Sequence, residues 1–387
     1  MPVTTEEVRS YQRCTVTVMD TTDPDIAFDE TGASLYVDRF NKVYASRLAE
    51  VQAGGRTDEL NKLVEQIKAD GRGKPYDVVI GISGGIDSTY LALSAVRLGL
   101  RPLAVHFDSG WNSEAAVDNI HNLVTSLGLD LYTQVVDWRE MRDLQLAYLK
   151  SGVANADTPT DHAFGYVSFH QAQKYGIKHI LSGTNTVSES ILPTAWGYSA
   201  ADSKLLKAIH RRFGSVRLKT YPLMNSTIRT LWYPYVRGIS THALLNYLPY
   251  HYSQVKDEIA REVGWRDYGG KHYESVFTRW FQGYYLPQRF GFDKRLAHYS
   301  SLILSGEMTR DEALALLAEP NYPEALRKQD HEFIAKKLGI SVSELDAIIA
   351  APPKDYTDYP NSEQSTKKLF DFTARVGGLL RKMRLLR

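Results

Sequence analysis

The chain has 387 residues, with 46 Lys and Arg against 45 Asp and Glu, a formal net charge of +1. That length admits two domains, or one large domain with an appendage, and the balanced charge supplies no global field for nucleic acid. A single cysteine, Cys14, excludes an internal disulfide framework and leaves few thiols for sulfur-transfer chemistry. The start lacks a basic stretch followed by an apolar one, and no later run is long enough to span a bilayer. The expectation is therefore a cytoplasmic protein.

In chain order, Asp-Pro and Glu-Thr-Gly turns frame a short strand, Ile26-Ala27-Phe28. A helical pattern over 35–68, interrupted by Gly54 and Gly55, leads to the linker Gly71-Arg72-Gly73-Lys74-Pro75. Next comes Val78-Val79-Ile80-Gly81-Ile82 and, without a break, Ser83-Gly84-Gly85-Ile86-Asp87-Ser88. An apolar run bounded by turn residues reads as a buried parallel strand. The glycines let the backbone approach a ligand closely, and the first amides of the following helix (89–98) point unpaired N–H groups into the same hollow. Such a loop cradles phosphate. It is not a Walker A loop, since no Gly-x-x-x-x-Gly-Lys-Ser/Thr lies near it.

A second strand over 102–108 ends at Phe107 and Asp108, followed by Trp111, which reads either as a base or sugar platform or as a core tryptophan. A helix over 113–127 and a third strand over 131–136 follow. A helix over 161–175, capped by Thr160 or Asp161, precedes a fourth strand over 178–182. Gly183, Thr184 and Glu189 come next, and a fifth strand is expected near 216–220. Strands alternating with helices predict a doubly wound parallel α/β sheet of order 3-2-1-4-5, with ligands at the carboxyl ends of the strands. From Tyr221 onward strand signals fade. Thr309 with Glu312 and Ser341 with Glu344 read as capping boxes of a mostly helical C-terminal domain. The expected division is 1–70, an N-terminal module; 71–222, the nucleotide-binding domain; and 223–387, the helical domain. The basic run Arg381-Lys382-Met383-Arg384-Leu385-Leu386-Arg387 reads as a solvated helix end, with weak contact to anionic membrane lipid as the alternative.

The hexapeptide over 83–88 resembles the PP-loop of ATP pyrophosphatases at every position. That resemblance implies ATP held by Gly81, Ser83, Gly84, Gly85, Asp87 and Ser88, with adenine read near Phe107 and Asp108. The arrangement of Gly183, Thr184 and Glu189 resembles that of NAD synthetases beside the phosphates. Asp87 and Glu189 then become candidate Mg²⁺ ligands, since Mg²⁺ wants one or two carboxylates plus phosphate oxygens and water; for Glu189 a solvated loop acid is the alternative. Two stretches, 11–32 and 269–314, resemble the N-acetyl sugar amidotransferases of lipopolysaccharide and nonulosonic acid biosynthesis. In that family the first stretch carries two Cys-x-x-Cys pairs. Here Cys14 remains, with Thr17, Ser34 and Val37 at the other positions, so no zinc is expected.

The resemblance implies ATP-dependent adenylation of an N-acetyl carbonyl on a nucleotide-activated sugar, then replacement of oxygen by ammonia. Lys271, His272 and Glu274 join Asp87 as candidate catalytic residues. Trp111, Arg279, Lys294 and Arg295 are candidate substrate-binding residues. Position 2 is Pro2 and Cys14 lies in no nucleophile-elbow pattern, so no glutaminase is expected within the chain. The implied nitrogen source is a separate glutaminase subunit, with a cyclase-like ammonia-channel subunit as in imidazole glycerol phosphate synthase, or free ammonium. Other PP-loop ligases (NAD synthetase-like, argininosuccinate synthetase-like or tRNA-modifying) and a non-catalytic nucleotide-binding scaffold are the competing readings.

Overall fold

A computed structural model describes residues 10–368. Five parallel strands form one sheet in the order β3-β2-β1-β4-β5, the order expected. They are β1 (Val78–Gly81), β2 (Pro102–Asp108), β3 (Asp130–Val135), β4 (His179–Ser182) and β5 (Ser240–Ala243). β1 sits centrally, pairing Val78 with Pro102 on one side and Val79 with Ile180 on the other. Buried on both faces, it is apolar throughout except at its glycine end.

Successive β1 residues feed opposite cores. Val78 and Ile80 pack with the helices Ile86–Arg97 and Tyr252–Val263. Val79 packs with Leu103, Val105 and Phe107 of β2 against the helices Trp138–Ser151, Thr158–Lys174 and Ser203–Phe213. A third core joins the C-terminal helices to the N-terminal segment, with Val18, Met19 and Ile26 beside Phe277, Trp280 and Tyr285. Val18 N donates to Ser300 Oγ at 3.2 Å, and Arg310 Nε donates to the Thr17 carbonyl at 3.0 Å. The N-terminal segment is thus clamped onto the C-terminal helices.

Three local expectations change. The fifth strand is Ser240–Ala243, not 216–220. The backbone there is committed elsewhere: the Glu140 carboxylate accepts from Lys219, Thr220 and Tyr221 N, and Asp143 from Ser215 and Val216 N. Amides bound to carboxylates are not free for a ladder. Residues 26–28 form no strand; Phe28 pairs with Ser34 in an isolated bridge. The helix expected from 161 begins at Thr158 with Asp157 at its N-cap, and Pro159 in its first turn explains the earlier start. Both capping boxes, Thr309 with Glu312 and Ser341 with Glu344, are present. The basic run 381–387, like Pro2, lies outside the described residues.

Candidate functional site

A cleft of about 1610 Å³ opens at the carboxyl ends of β1, β2 and β4. Ser83, Gly85, Ile86, Asp87 and Ser88 form one wall. The hydroxyls of Ser83 and Ser88 lie 3.3 Å apart, and Gly85 N donates to Ser83 Oγ. Gly84 has φ +81° and a Cβ there would stand 2.6 Å from the Ala116 carbonyl. Its own carbonyl accepts from Trp265 Nε1 at 3.0 Å. Gly84 thus shapes the loop from behind instead of lining the cleft. Gly81 is required for packing, since a Cβ would meet Phe164 at 2.0 Å.

Asp87 is the centre of a polar network. Tyr250 donates to its Oδ1 at 2.5 Å and Asn185 Nδ2 does so at 3.0 Å. Lys271 Nζ lies 3.7 Å from Asp87 Oδ2, 3.0 Å from Glu189 Oε1 and 3.0 Å from Ser188 Oγ. Burial raises the Asp87 pKa; Lys271 opposes that rise and the Glu189 charge adds to it. Burial opposes the Lys271 charge, yet Asp87 and Glu189 outweigh it and hold the ammonium protonated. His298 lies close by, its Nδ1 3.2 Å from the Ser188 carbonyl. Burial, then the Lys271 charge, push it down to about 3, so its ring is neutral.

Lys271 reaches this site from a distant part of the chain by backbone pairing. Ser113 N donates to the Glu274 carbonyl and Val276 N to the Trp111 carbonyl, both at 2.8 Å. The pairing docks 274–276 against the segment that follows β2. The turn before it holds His272 at φ +66°, the one non-glycine residue with positive φ among those described. Such a conformation is costly and persists where its surroundings impose it. His272 Nδ1 stands 3.6 Å from Glu274 Oε1. Burial opposes the Glu274 charge, but the neighbouring His272 outweighs it and holds the carboxyl below its usual range.

The structure therefore gathers Asp87, Lys271, His272, Glu274, Glu189, Gly183, Thr184, Phe107 and Lys294 into the cleft wall with Ser83, Gly85 and Ser88. It places four other candidates elsewhere. Trp111, 1 % exposed, packs against Trp138 and Phe277, with Lys337 over its ring. Arg279 is held by Asp330 at 2.7 Å. Arg295 pairs with Asp293 at 2.8 Å and faces a separate small pocket. Asp108 Oδ1 caps the turn by accepting from Gly110 N at 2.9 Å. Residues not foreseen are Tyr250, Asn185, Ser188 and Asp157, none of which stands in a motif. Asp161, foreseen only as a helix cap, also enters the cleft.

Asp87 and Glu189 both face the Lys271 ammonium, and two carboxylates so placed are a donor set compatible with Mg²⁺ beside phosphate. The Cys14 surroundings do not fit zinc. Its Sγ accepts from Thr17 N at 3.3 Å and Ser34 N at 3.2 Å, while neither Thr17 nor Ser34 brings a thiolate.

Residues 274–374 match the family described as LPS biosynthesis protein WbpG-like, C-terminal domain. The chain is 29% identical over 109 residues to a glutamine-hydrolyzing GMP synthase of Pyrobaculum aerophilum. That match covers 28% of this chain and 20% of the relative, so the chain spans about a fifth of that protein's length. Among solved structures it resembles NMN synthetase from Francisella tularensis, with TM-score 0.36 and 14% identity, over 73% of this chain and 96% of that one. Among the described residues no helix is long and apolar enough to cross a membrane. The chain thus joins a five-stranded parallel sheet of order 3-2-1-4-5, with its Ser-Gly-Gly-Ile-Asp-Ser loop following β1, to a segment that matches the WbpG-like C-terminal domain of lipopolysaccharide biosynthesis.

Proposed function

We propose that the chain is the synthetase half of a cytoplasmic amidotransferase in lipopolysaccharide biosynthesis. It adenylates the acetamido oxygen of a nucleotide-activated sugar, releases pyrophosphate, and replaces that oxygen with ammonia to form an acetamidino group. The observation that carries this reading is the convergence of Asp87 and Glu189 on the Lys271 ammonium beside the phosphate loop. A segment adjoining the WbpG-like domain thereby enters the ATP site. The cleft also exceeds the roughly 300–1,000 Å³ of an ordinary small-molecule pocket, leaving space for a second substrate beside ATP.

Each group has a role set by its place. The loop amides and the hydroxyls of Ser83 and Ser88 hold the pyrophosphate end of ATP. Asp87 and Glu189 would hold Mg²⁺, which supplies charge neutralisation on the phosphates. Lys271 positions the same phosphates, and Lys294 faces the sugar side of the cleft. His272, paired with Glu274, is placed for proton transfer. Positioning and fixed charge carry most of a phosphoryl-centred step. Cys14 is fully buried beneath two backbone amides, which disqualifies it as a glutaminase nucleophile. The nitrogen therefore comes from a separate glutaminase subunit, with or without a cyclase-like channel subunit, or from free ammonium.

The test measures pyrophosphate release with a panel of UDP- and CMP-linked N-acetyl sugars, with mass spectrometry for an acetamidine and AMP. The purified chain should use ammonium and not glutamine. Its rate at fixed total ammonium should rise with pH as free NH₃ increases. Glutamate release from glutamine by this chain alone would overturn the two-subunit reading. A second reading, amidation of a free nucleotide, is favoured by the GMP synthase match; pyrophosphate release with unglycosylated nucleotides and none with the sugars would establish it instead.

A further inference from the structure

One corner of the cleft is left unused by the adenylation just described. Asp157 stands at the N-cap of the Thr158–Lys174 helix, yet its side chain makes no capping bond. Its Oδ2 accepts from the Thr278 hydroxyl at 2.6 Å. Its Oδ1 has no hydrogen bond, although the residue is only 7 % exposed and lines the cleft. The Thr160 hydroxyl oxygen beside it is likewise covered and without a bond. Asp161 opens into the same cleft. A buried acceptor left unpaired is unfavourable, so the corner is shaped for something that donates hydrogen bonds.

The charges narrow the choice. Two carboxylates line this part of the cleft, and the basic residues within electrostatic reach are His272 and Lys294. Among the described residues Lys294 forms no ion pair. A phosphate or carboxylate ligand would face Asp157 and Asp161 directly. A small cation with several N–H donors and no acceptor satisfies Oδ1, the Thr160 oxygen and Asp161 together. His272 lines the same cleft and is also within electrostatic reach of Asp87.

We infer that the corner formed by Asp157, Thr160 and Asp161 holds the nitrogen nucleophile as ammonium and takes a proton from it before attack. This inference rests on the amidotransferase reading above. Asp157 Oδ1 accepts one proton from NH₄⁺, which frees the lone pair of NH₃. The lone pair forms the new C–N bond to the adenylated carbon, and the C–O bond to the adenylyl phosphate breaks. AMP leaves with that electron pair, and the proton on Asp157 passes to solvent. Burial and the Asp161 charge, which push the Asp157 carboxyl up to about 7, suit it to accept that proton.

The test uses rubidium, a monovalent cation of ammonium's size, soaked into crystals of the full chain and located by anomalous scattering. Rubidium should lie against Asp157 Oδ1 and Thr160 Oγ1, be displaced by ammonium chloride, and be absent from Asp157→Asn. An empty corner in the wild type overturns the inference. Steady-state kinetics with ammonium as nitrogen source give the second arm. Asp157→Asn should raise the KM for ammonium by about tenfold or more, with the KM for ATP and for the N-acetyl sugar nucleotide held. A rise confined to the sugar KM would assign the corner to a sugar hydroxyl and overturn the proposal. A parallel fall in every parameter with a lowered Tm would make Asp157 structural and do the same. Wild-type protein that consumes no ATP with any N-acetyl sugar nucleotide would refute the amidotransferase reading, and the rubidium result would still judge the cation site separately.

Discussion

Tyr250 donates its hydroxyl to Asp87 Oδ1 at 2.5 Å, tying the acid of the phosphate loop to a residue 163 positions later. The bond fixes one carboxylate oxygen and leaves Oδ2 turned toward Lys271. Tyr250 itself is 1 % exposed and packs edge-on against Tyr90 of the helix that follows the loop. The orientation of Asp87 is therefore set by the hydrophobic core, through a rigid aromatic ring.

Asp87→Ala should abolish ATP-dependent pyrophosphate release while the far-ultraviolet circular dichroism stays that of the wild type. Tyr250→Phe keeps the ring and removes the bond, so it should lower the rate by about tenfold, the worth of one hydrogen bond to a charged group. Its magnesium requirement should rise as well. Steady-state rates at graded Mg²⁺ check both, and wild-type turnover by Asp87→Ala would refute the site.

The buried Asp157 gives a stability signature with a definite sign. Burial, with the Asp161 charge adding to it, pushes its carboxyl up to about 7 in the folded chain. At low pH both folded and unfolded states hold the proton. As pH rises from roughly 4 to 7 the unfolded state ionises first, so stability falls across that window. Asp157→Asn cannot ionise and should escape the fall. Near pH 8 it should be the more stable protein by on the order of 4 kcal/mol, the gain vanishing toward pH 4. Thermal unfolding from pH 4 to 8 measures this, and a difference independent of pH would refute the assignment.

Trp111 is predicted to act through packing. With its ring between Trp138 and Phe277, Trp111→Ala should cost about 3–5 kcal/mol of stability. Trp111→Phe should retain most of the stability and leave the KM for substrates unchanged. A large KM effect without loss of stability, measured by denaturant unfolding beside kinetics, would return Trp111 to the binding site.

Elemental analysis of purified protein should find no stoichiometric zinc. The Cys14 sulfur already accepts two backbone amides, which offset the cost of its burial and lower its pKa. A lone thiolate, with Thr17 and Ser34 as its neighbours, is too poor a ligand set for Zn²⁺. Zinc at one equivalent would show a ligand set that these contacts do not contain.

The sequence by itself determined what local patterns encode. The β-branched run into Ser-Gly-Gly-Ile-Asp-Ser marked β1 and the phosphate loop, because burial on both faces demands an unbroken apolar strand. The capping boxes at Thr309 and Ser341 were equally legible, each being a contact within one helical turn. The tertiary structure alone decided which distant charges meet. Arg279, Arg295 and Lys294 look alike in the sequence, but Asp330 and Asp293 claim the first two and leave Lys294 to the cleft. The fifth strand shows the same limit. Residues 216–220 alternate as a strand should, yet Glu140 and Asp143 take amides of that segment, and the edge position passes to the less apolar Ser240–Ala243. An acceptor brought from another helix outcompetes a ladder partner, and no local periodicity records where that acceptor will lie.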